Sequence, residues 1–342
     1  MIHGHGDDIF HYPQLNANFS SNIYQHPDLS GLHQYLCAHI ETIHSYPEPD
    51  ASSIRNKIAH WKKIDADCIC VSNGATEAIY LIAQLFSGLR STIIQPTFSE
   101  YADAARVHGH QLTYAADLDE VDFEHTDVLW LCHPNNPTGQ VYNIKIILSC
   151  IERYSDTVFV IDQSYEHFAE TPVFNDKQAL CYPNMILLHS LTKHFAIPGL
   201  RLGYCVTNSG LLARINAIRM PWSVNQMALL AADYLLEHRL ELAVPLTDLF
   251  FETRWLQTEL KKFDQLEVFP TQTHFFLVRL QNGQTAANLK EYLALHHGIL
   301  IRDAGNFPNL DAHYFRLATQ SRKQNDHLIA ALECYFSLGQ IQ

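Results

Sequence analysis

The chain has 342 residues, 47% hydrophobic and 17% charged, which is enough apolar material for a sizeable core in one large or two moderate domains. Its formal net charge of −13 comes with no basic stripe to neutralise polymeric phosphates, so nucleic-acid and membrane-surface partners are not expected. A small anionic substrate remains open, because one or two placed arginines would suffice to hold it.

The first residues, MIHGHGDDIFHYP, show no basic segment leading into an apolar one, and no apolar run is long enough to span a bilayer. The eight cysteines are scattered without a CxxC pair, so the expected setting is a reducing cytoplasm. Histidine is abundant at 21 residues, with close pairs at His3/His5 and His108/His110. No acidic or cysteine ligand set accompanies them at zinc spacing, and no metal is expected.

Residues 1–30, rich in Asn, Ser, His and Pro, read as an extended arm. Helical spacing runs from Leu32 to His44, a turn follows at Tyr46–Asp50, and a second helix covers Ser52–Trp61, with Ser53 among the polar groups available to start it. From about 65 to 207, the short apolar runs CICV, STII, VLWLC, VFVID, MILLHS and RLGYCV alternate with segments of helical periodicity. Such runs read as buried strands, and their alternation with helices predicts an α/β fold with a mostly parallel sheet. Residues 211–262 read as mainly helical, with a break at Pro221. Beyond 265 the runs LEVFP, HFFLVRL, ILIRD and YFRLAT read as strands, with helices around 286–296 and 323–337, which makes a smaller α+β unit.

Five segments carry chemistry. In VSNGATEAIY (71–80) a strand leads into a helix whose first N–H groups, at Ala75 and Thr76, form an anion site without a nucleotide-binding glycine pattern. In QPTFSEY (95–101), Phe98 or Tyr101 could stack on a flat ring, or simply pack in the core. In LCHPNNPTG (131–139), Asn136 offers an amide donor. VFVIDQSY (158–165) puts Asp162 at the C-terminal end of a strand, where it could hold a proton on a pyridine nitrogen or serve only as a turn residue, and Tyr165 could donate to a ring oxygen. In HSLTKHFAIPGLRLGY (189–204), Lys193 follows a strand end, while Ser190, Thr192 and Arg201 can surround a phosphate. A lysine that condenses with an aldehyde needs surroundings that favour its free amine.

Together and in this order, GATE, PTFxxY, HPNNPTG, DxxY and SxTK…GLRLGY resemble the fold-type I pyridoxal phosphate (PLP) enzymes of the class I/II aminotransferase group. The resemblance is strongest to the branch that holds histidinol-phosphate aminotransferases and threonine-phosphate decarboxylases. It implies an α/β fold of that type: a large domain with a mostly parallel central sheet, plus a smaller α+β domain. The implied division is an arm over 1–30 packed on the small domain and active site, a large PLP-binding domain over 31–235, and a small C-terminal domain over 236–342.

The resemblance also implies roles. Lys193 is the lysine that carries PLP, Asp162 the partner of its ring nitrogen, Tyr165 and Asn136 the donors to its ring oxygen, and Phe98 the stacking aromatic. Ala75, Thr76, Ser190, Thr192 and Arg201 make the phosphate cup, and Tyr46 reaches the phosphate of a neighbouring subunit's cofactor, which implies a homodimer with shared active sites. Arg316 in YFRLAT grips the substrate carboxylate. The arm, with His5, Gly6 and Asn22, and Arg302 in ILIRD resemble the decarboxylase branch, with Arg302 facing a substrate phosphate. The implied reaction is decarboxylation of L-threonine O-3-phosphate to aminopropanol phosphate in cobalamin biosynthesis. The alternative is an aminotransferase for histidinol phosphate or another amino acid. The chain departs from the pattern at Asp7, at Asn22-Ile23-Tyr24-Gln25 and at His194.

Overall fold

A computed structural model describes residues 7–12, 14–24 and 27–338. The arm crosses the molecule as β1 (Ala17–Asn18). The central sheet then takes β2 (Ile69–Ser72), β3 (Arg90–Ile94), β4 (Gln111–Ala115), β5 (Val128–Cys132), β6 (Val158–Asp162), β7 (Met185–Ser190) and β8 (Gly203–Val206). Its spatial order is β2-β8-β7-β6-β5-β3-β4. Within this sheet β8 runs against the others, pairing antiparallel with both β2 and β7. The six apolar runs therefore all become strands. The sequence reading missed β4, an edge strand whose side chains are mostly exposed, so it lacks the continuous apolar signature of a buried strand.

Alternate residues of these strands build two cores. Ile69, Val71, Leu129, Phe159, Ile161 and Leu187 pack under the helices at 52–62, 144–153 and 226–237. Cys70, Trp130, Val160, Ile186 and Leu188 face the helices at 74–85, 100–107 and 209–218. This period-two division is what a sheet covered on both faces requires.

The C-terminal part supplies β9 (Leu266–Val268), β10 (Phe275–Leu280), β11 (Ile299–Leu300), β12 (Arg302–Asp303) and β13 (Tyr314–Ala318). Four of these form an antiparallel sheet in the order β12-β13-β10-β9, under helices 246–260, 286–297 and 322–338. Its core holds Phe276, Val278, Phe315 and Leu317. The run ILIRD, expected as one strand, divides at Ile301: β11 pairs with β1 of the arm while β12 joins β13.

Helix 52–62 corrects a local expectation. Ser53 is not its cap: the first amides, of Ser52 and Ser53, are met by the carboxylates of Asp50 at 3.2 Å and Glu48 at 2.8 Å. Acidic groups at this end also suit the helix dipole.

Candidate active site

The C-terminal ends of β2, β5, β6 and β7 open on a cavity of about 330 Å³, lined on the other side by the arm and by β12 and β13. Strand ends are where α/β folds place ligands, because the turns there expose backbone N–H groups and side chains together. Ala75, Thr76, Phe98, Asn136, Asp162, Tyr165, Ser190, Thr192, Lys193, Arg201, Asn22, Arg302 and Arg316 all line it. Residues spread over some 300 positions of chain thus meet at one place.

Lys193 sits in the short helix Leu191–His194 that follows β7. Burial, together with the guanidinium groups of Arg316 and Arg201, pushes its amine down to about 8. The free amine needed for covalent attachment is therefore accessible near neutral pH.

Asp162 ends β6. One carboxylate oxygen accepts from the Ser164 amide at 2.8 Å, so its turn role is real. The other accepts from the Tyr101 hydroxyl at 2.6 Å. Tyr101 is itself fixed by stacking on Trp130, with ring centroids 5.8 Å apart, and burial beside Asp162 drives its phenol well up. The sequence offered Tyr101 as a stacking ring or a core residue. Its structural task is to orient Asp162. Phe98 meets the Tyr101 ring edge-on at 5.8 Å and contributes its own ring to the cavity wall.

Asn136 accepts from Arg316 through its amide oxygen, and from Asn22 Nδ2 at 3.5 Å. With the oxygen so engaged, the amide NH₂ is the end suited to a ligand oxygen. Tyr165 lies edge-on to Phe275 at 4.9 Å, and burial raises its phenol.

The phosphate-sized end of the cavity is made by close backbone approach. A Cβ on Gly203 would stand 2.6 Å from the Ala75 amide, and one on Gly74, whose φ is +76°, would stand 2.8 Å from Arg201 Nη2. Only glycine lets β8 and Arg201 close against the start of helix 74–85. Ser190 lies at the same end, while the Thr192 hydroxyl donates to the Leu202 carbonyl at 3.2 Å.

Opposite this end, β12 and β13 pair with Arg302 directly across from Arg316. Both side chains are buried, 7% and 5% exposed. Arg316 donates to Ser20 O of the arm as well as to Asn136, and burial lowers it to about 9. Arg302 donates to the Asp303 carbonyl and, at 2.8 Å, to Asn306 Oδ1, and its guanidinium covers the Phe307 ring at 5.0 Å. Two buried cations side by side repel each other, and anionic groups placed against them would relieve that repulsion.

The arm lines the cavity through Asp7, Ser20, Ser21, Asn22 and Ile23, of which only Asn22 was expected from the sequence. Asn18 holds this turn, donating to Asp7 Oδ1 at 2.5 Å and accepting from the Ser20 and Ser21 amides at 3.0 and 3.2 Å. His5 and Gly6 lie outside the described residues. Tyr46, expected to serve a neighbouring subunit's cofactor, does not line this cavity and is 85% exposed beside Trp222.

These residues fit PLP. The cavity offers an amine of lowered basicity, a fixed carboxylate at a strand end, a ring wall, two donors for a ring oxygen, and an anion cradle that any added Cβ would fill. Its volume lies in the range of small-molecule sites.

Known proteins agree with this reading. The family model for aminotransferase class I and II matches residues 17–332. The threonine-phosphate decarboxylase of Salmonella typhimurium is 31% identical, covering 94% of this chain and 91% of that protein. A histidinol-phosphate aminotransferase of Methanococcus maripaludis is 28% identical over 86% of this chain and 83% of its own length. Among solved structures, an L-threonine-O-3-phosphate decarboxylase from Porphyromonas gingivalis superposes with a TM-score of 0.91 at 39% identity, covering 94% of this chain and 99% of that one. The chain belongs to the class I and II aminotransferases, the PLP-dependent enzymes of fold type I.

Proposed function

We propose that the protein decarboxylates L-threonine O-3-phosphate, releasing CO₂ and aminopropanol phosphate. The observation that carries this reading is the pair of buried arginines, Arg302 and Arg316, in register on adjacent strands at the substrate end of the cavity. A substrate with both a carboxylate and a phosphate satisfies both, whereas histidinol phosphate has one anionic group. The 39% identity to a threonine-phosphate decarboxylase supports the same choice.

Bound PLP would supply an electron sink for a breaking bond at the substrate Cα. The chain's own residues decide which bond that is. Arg316, tied to Asn136 and the arm, takes the carboxylate, and Arg302 takes the phosphate, so the substrate is held at both ends. Asp162 keeps a proton on the ring nitrogen, and Tyr101 keeps Asp162 in place. Tyr165 and Asn136 serve the ring oxygen, Phe98 covers the ring, and Ala75, Thr76, Ser190, Thr192 and Arg201 hold the cofactor phosphate. Lys193 carries the cofactor and afterwards delivers a proton to the substrate Cα, a task suited to an amine near 8. The arm segment Ser20–Ile23 supplies part of the wall beside Arg316.

The reading includes a homodimer. Its support is a pair of exposed aromatic rings, Tyr46 and Trp222, that lie 5.4 Å apart. It also includes the division of the chain near residues 30 and 235, supported by the separate cores under the two larger sheets.

Titration of the holoenzyme's absorbance tests the substrate assignment. Threonine phosphate is expected to saturate at about 100-fold lower concentration than threonine, the contribution of one charge-assisted Arg–phosphate contact of about 3 kcal/mol. Equal affinities for the two, or saturation by histidinol phosphate alone, would refute it.

A further inference from the structure

Behind the cavity floor lies a second group of charges that the proposed reaction does not use. His189, in β7, stands between two acids: its Nδ1 is 3.0 Å from Glu166 and its Nε2 is 2.9 Å from Asp176. Lys62, the last residue of helix 52–62, lies 3.4 Å from Glu166 and 3.1 Å from Asp176. The Tyr204 ring stacks on His189 at 4.5 Å, and His167 approaches Glu166 at 3.2 Å. His167 also packs against His194, with ring centroids 3.7 Å apart. The side chains of Lys62, Glu166, Asp176 and His189 are 14%, 12%, 4% and 2% exposed.

The placement is regular. Glu166 follows Tyr165, His189 precedes Ser190, and His194 follows Lys193. Each of these three thus stands one residue from a cavity-lining group, and along β7 the alternation of a strand turns His189 away from the side that Ser190 faces. Burying four charges is no efficient way to stabilise a fold, since apolar residues of similar size serve as well or better. What charges add is fixed relative geometry.

We propose that Lys62, Glu166, Asp176 and His189 form a buried brace that positions Tyr165 and Lys193 against each other. With His189 protonated, the cluster has two positive and two negative charges. Glu166 and Asp176 hold the imidazolium up to about 9, while the positive neighbours keep both carboxylates low. His194, buried next to His167, is pushed down to about 3 and stays uncharged. A histidine raised on folding contributes stability in full below its unfolded value, and loses it as pH rises through about 9. Carboxylates lowered on folding contribute above the carboxylate range and lose it in acid. The brace therefore contributes in full from roughly pH 5 to pH 6.5, and its contribution declines from there as pH rises toward about 9.

The inference rests on Lys193 as the cofactor-bearing amine. Borohydride reduction of the holoenzyme and peptide mapping check that first, and a label on any other residue would overturn both claims. The pH midpoint of the cofactor absorbance and the cofactor Kd are then measured in wild type and Lys62→Met. Lys62→Met keeps the stem and removes one charge, and it is expected to move the midpoint by about one pH unit and weaken cofactor binding about tenfold. Lys62→Arg should restore both. A folded Lys62→Met protein labelled on Lys193, with midpoint and Kd unchanged, would overturn the brace. If Lys62→Met does not fold, His189→Gln is measured in its place: a shifted midpoint with weakened binding supports the brace, and two unchanged values overturn it. Failure of both to fold would make the cluster a determinant of folding and overturn the positioning role.

Discussion

Lys193 gains its chemistry from where it is held. Burial and two guanidinium groups bring its amine to about 8, so the rate at which the apo-protein takes up PLP should rise with pH through about 8. A rise centred near the ordinary lysine value of about 10.4 would mean that Lys193 is not so confined. Stopped-flow uptake measurements decide this. In the proposed reaction, Arg302 is the residue that meets the substrate phosphate. Arg302→Ala should raise KM for threonine phosphate by about 100-fold, the cost of leaving a buried phosphate without its charged partner, while cofactor binding is retained. An equal loss with non-phosphorylated amino acids would make Arg302 a structural residue.

For single residues, the sequence was informative where a residue type is tied to one chemistry. Lys193, Asp162, Asn136 and the two arginines stand where their motifs put them in the cavity. Residues whose part depends on a partner far along the chain were not legible. Tyr101 gives no sign in its own segment that Asp162, 61 positions on, will accept a hydrogen bond from its hydroxyl. The four-charge cluster left one visible trace, a histidine interrupting the apolar run MILLHS.

Among the elements, the approach of β8 to helix 74–85 sets the shape of the phosphate end. Gly203→Ala would put a Cβ 2.6 Å from Ala75 N and 2.8 Å from His189 O, both backbone atoms that cannot swing aside. We expect a loss of about 2 kcal/mol of stability and weaker cofactor retention, measurable by thermal melting and by dialysis against phosphate. A variant as stable as wild type with full cofactor would show that the strand and helix can separate freely. Continuous apolar runs announced the buried strands β2, β3, β5, β6, β7 and β8. The edge strand β4 carries no such run, and the reversed direction of β8 is a property of pairing that local periodicity does not encode. The division of ILIRD between two sheets has the same origin, since the arm supplies the partner of its first half from almost 300 residues away.

For the whole molecule, the proposed homodimer with shared active sites would have Tyr46 reach beyond its own subunit. Tyr46 lies 85% exposed beside Trp222, itself 49% exposed, which is unfavourable for two aromatic rings unless they are covered. Trp222→Glu should shift the protein toward monomer in analytical ultracentrifugation and lower its cofactor affinity together. A monomeric wild type with full activity would contradict shared active sites.

The reaction itself is open to direct measurement: the CO₂ released per threonine phosphate consumed by the PLP-loaded protein, followed alongside the cofactor's absorbance. A decarboxylase releases one CO₂ for each substrate consumed over many turnovers, with the cofactor unchanged at the end, and that is the expected result. Consumption without CO₂, accompanied by conversion of the cofactor to its amine form, would contradict it and mark the protein as an aminotransferase.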